Sequence, residues 1–132
     1  MAFTEFYINS LGSNLNGGSS NAGNAKFTST NGNWQGGGIA NFRPTDGQNP
    51  SGNVNVGDFC SIYNDGASVG VYITRITAVQ NAANGNISTS SGNSYGTAPT
   101  NSATARSIKV AGAWLGPSGA TTFPFGLAGT IG

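Results

Sequence analysis

Val54-Asn55-Val56-Gly57-Asp58-Phe59-Cys60-Ser61-Ile62-Tyr63-Asn64-Asp65-Gly66 reads as the approach to a strand, the strand itself and a turn. Gly57-Asp58 opens the apolar run Phe59–Tyr63, and Asn64-Asp65-Gly66 supplies the residue types that reverse a chain tightly. Ser68 to Val79 follows as the longest strand signal. Val69, Val71, Ile73 and Val79 share one parity, and Tyr72, Ile76 and Ala78 share the other. Apolar residues on both parities describe a strand partly covered on both faces, or one bent by a bulge. Asn84-Gly85 turns the chain again and Asn86–Ser90 returns, which makes a three-stranded meander.

Working outward toward the N-terminus, Ile39–Phe42 reads as a short strand. Arg43–Gly52, with Pro44, Asp46-Gly47 and Pro50, reads as loop. Lys26–Thr30 is a further strand, and Asn31-Gly32 is the dipeptide of a type I′ hairpin turn. Ser10–Ala25 is almost pure Gly, Asn and Ser, a long loop of turn formers, and Phe3–Asn9 ahead of it reads as a strand. Toward the C-terminus, Gly92–Thr104 is a loop of small residues and Ala105–Trp114 is the last strong strand. The expected architecture is one all-β domain over residues 1–114, a small antiparallel β-barrel or sandwich, with a Gly- and Pro-rich arm over 115–132. No segment carries a helical period. The expected core is Tyr7, Phe59, Ile62, Val71, Ile73, Ile76, Val79, Ile108 and Val110.

Composition narrows the function. Gly, Asn, Ser and Thr supply about half of the 132 residues, and charged residues only 7%. Five cations and a net charge of +1 cannot build the basic face that phosphate contacts require, so nucleic acid is not an expected partner. There is no His and there are four acidic residues, which leaves little material for acid–base catalysis or a Cys–His nucleophile. No enzymatic activity and no cofactor are therefore expected. Cys60, the single cysteine, rules out an internal disulfide and reads as a small buried apolar residue. No apolar run reaches the ~18 residues of a membrane span, and the first residues have neither a basic nor a long apolar region, so no membrane partner and no Sec signal peptide are expected.

Few side chains qualify as site residues. Asp46, Asp58 and Asp65 each sit in a turn, where a carboxylate ordinarily accepts backbone N–H bonds, and their spacing is not that of a calcium loop. Gly36-Gly37-Gly38 lacks the Lys-Ser or Lys-Thr of a phosphate loop. Trp34, Tyr95 and Trp114 read as core or subunit contacts, with sugar stacking as the other use of exposed rings. Trp34 and Trp114, together with Phe123, Phe125, Leu127 and Ile131 of the arm, are the expected partner or oligomer contacts. A small core with long polar loops gains from burial against other copies, and low charge removes the repulsion between them.

Val56-Gly57-Asp58-Phe59, then Val71-Tyr72-Ile73-Thr74-Arg75-Ile76-Thr77-Ala78-Val79, then Gly85-Asn86-Ile87-Ser88-Thr89 resembles a pattern of small β-barrel modules in phage structural proteins. Phe6-Tyr7-Ile8-Asn9-Ser10-Leu11-Gly12-Ser13-Asn14 resembles the first strand of right-handed β-helix surface proteins. Ser107–Trp114, followed by Gly116-Pro117 and Phe123-Pro124-Phe125, is similar to the junction leading into such a helix. The resemblance implies a phage virion surface protein, made in the host cytoplasm, of the capsid decoration or head-fibre base type. Its implied partners are the major capsid protein or another virion protein, and itself, with a trimer favoured. The alternatives are a carbohydrate-binding or adhesive module of a tail fibre or cell-surface protein, and a self-assembling extracellular fibre subunit.

Overall fold

The computed structural model describes residues 6–67 and 72–115. Six strands are β1 (Phe27–Gln35), β2 (Asn41–Arg43), β3 (Phe59–Asn64), β4 (Tyr72–Val79), β5 (Ile87–Gly96) and β6 (Ser102–Val110). They close into a barrel in the order β1-β2-β5-β4-β3-β6, with every neighbouring pair antiparallel. Closure removes the unpaired strand edges that would otherwise invite aggregation. The expected meander is present as β3-β4-β5. Its turns carry positive φ at Gly66 (82°) and Asn84 (54°). A segment with one 3-10 turn (Pro50–Gly52) carries the chain from β2 to β3, burying Pro50 and Val54 on the way.

The inward face is built by bulges as much as by alternation. Along β1 the buried residues are Phe27, Ser29, Gly32 and Trp34, so the buried parity switches in mid-strand. The switch occurs at Asn31 (φ 56°), where the register against β6 shifts between Ser29 and Gly32. Asn31-Gly32 is thus a β-bulge inside one strand and not the hairpin turn expected from the dipeptide. Both uses need the same left-handed residue, and β6 pairs with β1 on either side of it. In β4 the register shifts between Thr74 and Ile76 and again between Ile76 and Ala78. Ile73 and Ile76, three apart and both fully buried, are reconciled by a bulged strand covered on both faces.

The core cluster joins Phe27, Trp34, Phe42, Cys60, Ile62, Tyr72, Ile76, Ile87, Ile108 and Val110 across all six strands, with Val54 and Ala111 at its edge. Of the expected core, Phe59, Ile62, Ile73, Ile76, Ile108 and Val110 are buried, Val79 packs against the cluster, and Tyr7 is half-buried. Val71 lies outside the described residues.

Several boundaries differ from expectation: β1 runs on to Gln35, β2 is Asn41–Arg43, and β6 begins at Ser102, inside the segment expected as loop. β5 runs on to Gly96, through part of the segment expected as loop, because Ser94, Tyr95 and Gly96 pair with Thr74, Ile73 and Tyr72. β6 stops at Val110, where Ala111 (φ 57°) and Gly112 (φ 77°) turn the backbone out of the ladder. Of the expected strand Phe3–Asn9, the described part makes a single parallel bridge, Ile8 to Trp114. Residues 1–5 and the arm beyond Leu115 lie outside the described residues.

Candidate functional site

The long Gly- and Asn-rich stretch of residues 10–25 is an ordered cover on one end of the barrel. The backbone N–H of Tyr7 donates to Gly18 O, that of Asn9 to Trp114 O, and that of Gly17 to Ala111 O, all at 2.8–2.9 Å. The Phe6 ring stacks on Trp114 with centroids 4.8 Å apart and meets Phe59 edge-on at 5.1 Å. Glycine is needed where this cover touches the barrel. A Cβ on Gly17 would stand 2.1 Å from Phe59 O, and one on Gly18 2.4 Å from the Trp114 indole. The polar composition that suggested a loose loop is what lets the backbone lie this close.

Trp34 and Trp114 are each 1% exposed. Neither ring is free to contact another molecule from this chain's surface, which corrects the expectation that both are partner contacts. Trp34 points into the barrel beside Tyr72, with ring centroids 5.9 Å apart, and Trp114 is covered by Phe6 and Gly18. Phe123, Phe125, Leu127 and Ile131 lie outside the described residues. Tyr95 is 43% exposed on β5, with the Phe6 ring 6.1 Å away.

The described carboxylates hold the fold. Asp58 pairs with Lys26 Nζ at 3.2 Å and accepts the Asn55 N–H. Asp46 accepts from Ser29 Oγ and Gln48 Nε2. Asp65 accepts from Ser107 Oγ and from the N–H of Asn31, which ties the β1 bulge to the β3–β4 turn. Among the described residues no three His, Cys, Asp or Glu side chains gather as a metal ion would require. Cys60 is fully buried; loss of solvent, with the Asp58 charge adding to it, pushes its thiol far above the ordinary range. Such a thiol stays protonated and is a poor nucleophile.

Two surface features were not legible as sites. Ile8, Leu11 and Leu115 are 55%, 80% and 50% exposed. All three stand on the hydrogen-bonded end formed by the cover and the segment after β6, where Leu115 N–H donates to Asn14 Oδ1 and Leu11 N–H to Asn9 Oδ1. The other feature is a hollow of about 230 Å³ at the junction of β1 and β6, lined by Asn33, Trp34, Gln35, Asn101, Ser102 and Ala103. Its polar lining reads in the sequence as ordinary loop, since half the chain has that composition.

No family model, curated protein or solved structure matches the chain.

Proposed function

We propose that the chain is a non-enzymatic structural protein of a phage virion surface, a capsid decoration protein or head-fibre base. It attaches by the barrel end that carries Ile8, Leu11 and Leu115. The observation behind this reading is their exposure on a well-bonded end of a small, nearly uncharged barrel. Preformed apolar residues on rigid backbone cost little to order on binding. The engagement of Asp46, Asp58 and Asp65 in turns and in the Lys26 pair supports a non-catalytic role. The trimer is proposed on the resemblance to virion proteins alone.

The test is cosedimentation of the purified chain with assembled capsids of the encoding phage, alongside its mass in solution. Binding that is lost in Leu11→Asp and Leu115→Asp, with unchanged melting of both variants, supports the reading. Absence of binding to any particle component, or binding untouched by both substitutions, overturns it.

A further inference from the structure

β2 is the shortest strand of the barrel. Its three residues pair with β1 at Asn33, Trp34 and Gln35, and with β5 only at Ile87 and Ser88. Pro44 ends it, since proline has no N–H with which to continue the ladder. β3 and β6, by contrast, pair through five residues of each strand. The wall between β1 and β5 therefore rests on little backbone pairing.

The chain on either side of β2 is held very differently. Downstream it is tied repeatedly: Thr45 Oγ1 donates to Asn31 O, Asp46 accepts from Ser29 Oγ, Gly47 N–H donates to Asn84 Oδ1 at 2.7 Å, and Gln48 Nε2 donates to Thr28 O at 2.8 Å. Upstream, Gly37 and Gly38 have nothing within 4 Å of the place of a Cβ, and Ile39 is 61% exposed. Ala40 then takes φ 48°, in the left-handed region where a Cβ is strained. Two contacts fasten this looser side. Ala40 O accepts the N–H of Thr89 at 2.8 Å and its Oγ1–H at 3.0 Å. The Phe42 ring is fully buried and fills the place of the side chain that Gly32 lacks.

We propose that β2 is a flap: it comes away from β1 and β5 about a hinge at Arg43–Pro44 while the other strands stay paired. Little pairing, an open glycine turn and a strained residue mark a unit that opens without global unfolding. Opening strips Thr89 from Ala40 O, withdraws Phe42 from Gly32, and leaves the facing edges of β1 and β5 without β2. An unpaired edge is a template for a strand of another chain, so the closed flap is what keeps this wall from pairing with one. The flap shares no residue with the apolar end, so its failure leaves the attachment proposal standing, and the reverse.

The test is hydrogen exchange of the ¹⁵N-labelled full chain at urea concentrations below the unfolding transition. Thr89 N–H reports on the flap. Ile76 N–H, which donates to Asp58 O at 2.8 Å, and Ala111 N–H, which donates to Phe59 O at 2.8 Å, report on the rest of the barrel. Corrected for intrinsic rates, Thr89 should exchange at least about tenfold faster than both, and with a weaker urea dependence, since a partial opening exposes less surface. A crosslink supplies the second measurement. Asn41 and Ser88 face each other, and the Thr89 N–H to Ala40 O bond beside them makes theirs a non-hydrogen-bonded pair. Such pairs have Cα atoms about 4.5 Å apart, within reach of a disulfide. In the oxidised double variant Asn41→Cys, Ser88→Cys, Thr89 should slow to the rate of Ile76 and Ala111 in the same molecule, and reduction should restore its fast exchange. A parent chain in which Thr89 shares the rate and urea dependence of Ile76 and Ala111 overturns the proposal, and so does an oxidised crosslink that leaves Thr89 fast.

Discussion

Trp114 and Asn16 hold each other across 98 residues of sequence: the indole Nε1–H donates to the Asn16 carbonyl at 2.8 Å. Asn16 answers through its own amide, with Nδ2 donating to Ala113 O at 2.8 Å and to Gly23 O at 3.0 Å. One side chain thus fastens the cover to itself and to the segment that follows β6. Gly112 lets it approach, since a Cβ there would stand 2.7 Å from Asn16 Nδ2. For a barrel with few large apolar residues, such a polar clasp replaces some of the stabilisation a larger core would supply.

Asn16→Ala is expected to destabilise the protein by about 2 kcal/mol, because two carbonyls lose a buried donor. That corresponds to a fall in melting temperature of roughly 5–10 °C. Asn16→Asp keeps the shape but turns carboxylate oxygens toward the same two carbonyls, and should be worse than Ala. Thermal melts of the two variants check this; an Asp variant as stable as the parent would show that the amide donors do not matter.

Gly32 is the place where the barrel turns its corner. The Phe42 ring occupies the position of the missing side chain: a Cβ would lie 2.2 Å from Phe42 Cζ. Gly32 has no positive φ, so the objection to a side chain is packing alone. Gly32→Ala should cost about 1–3 kcal/mol as overpacking. In a Phe42→Leu background the same substitution should cost about 1 kcal/mol less, a coupling that a double-mutant cycle in urea would measure. Equal penalties in both backgrounds would place the strain elsewhere.

The meander is legible in the sequence because its turns are written in residues that reach positive φ cheaply, Asp65-Gly66 and Asn84-Gly85. Asn31-Gly32 misleads for a related reason: a hairpin turn and a bulge both need a residue that reaches the left-handed region, as Asn31 does at φ 56°. Only the pairing of β6 with Ser29 on one side and Gly32 on the other decides between them. Trp34 and Trp114 admit both a core and a subunit-contact reading in the sequence. What encloses Trp114 is a glycine remote in the chain, Gly18, which lets backbone close over the indole. The exposure of Ile8, Leu11 and Leu115 has no local signal, since it follows from a contact between chain segments about 100 residues apart.

With both indoles buried, tryptophan emission should be blue-shifted in the native chain and poorly quenched by acrylamide. Unfolding should raise the quenching constant several-fold in one cooperative step. A native chain whose emission is quenched as readily as free tryptophan would contradict the burial of Trp34 and Trp114.

The last prediction concerns alkaline pH. Burial, with the nearby Asp58 charge adding to it, keeps Cys60 protonated far above its ordinary 9.0. Burial, and then the Asp65 charge, pushes Tyr63 from 10.0 up to about 12. Both groups are neutral acids whose folded-state values are raised, so their contribution to stability is complete below the unfolded-chain values. Above pH 9 the unfolded chain loses the Cys60 proton while the folded chain keeps it, and above pH 10 the same begins for Tyr63. Stability should be flat in these two groups up to about pH 9 and then fall by about 1.4 kcal/mol per pH unit for each group ionised only in the unfolded chain. The Tyr63 part of the loss should end near pH 12, where the folded chain ionises as well. Urea unfolding at pH 7, 9, 10 and 11 under reducing conditions measures the slope. Cys60→Ala should lower stability at pH 7 through lost packing, yet flatten the decline between pH 9 and 10. Tyr63→Phe should leave that segment alone and flatten the decline above pH 10. A parent chain equally stable at pH 7 and 11, or a Cys60→Ala slope identical to the parent's, would mean that the thiol ionises in the folded barrel and is not buried as described.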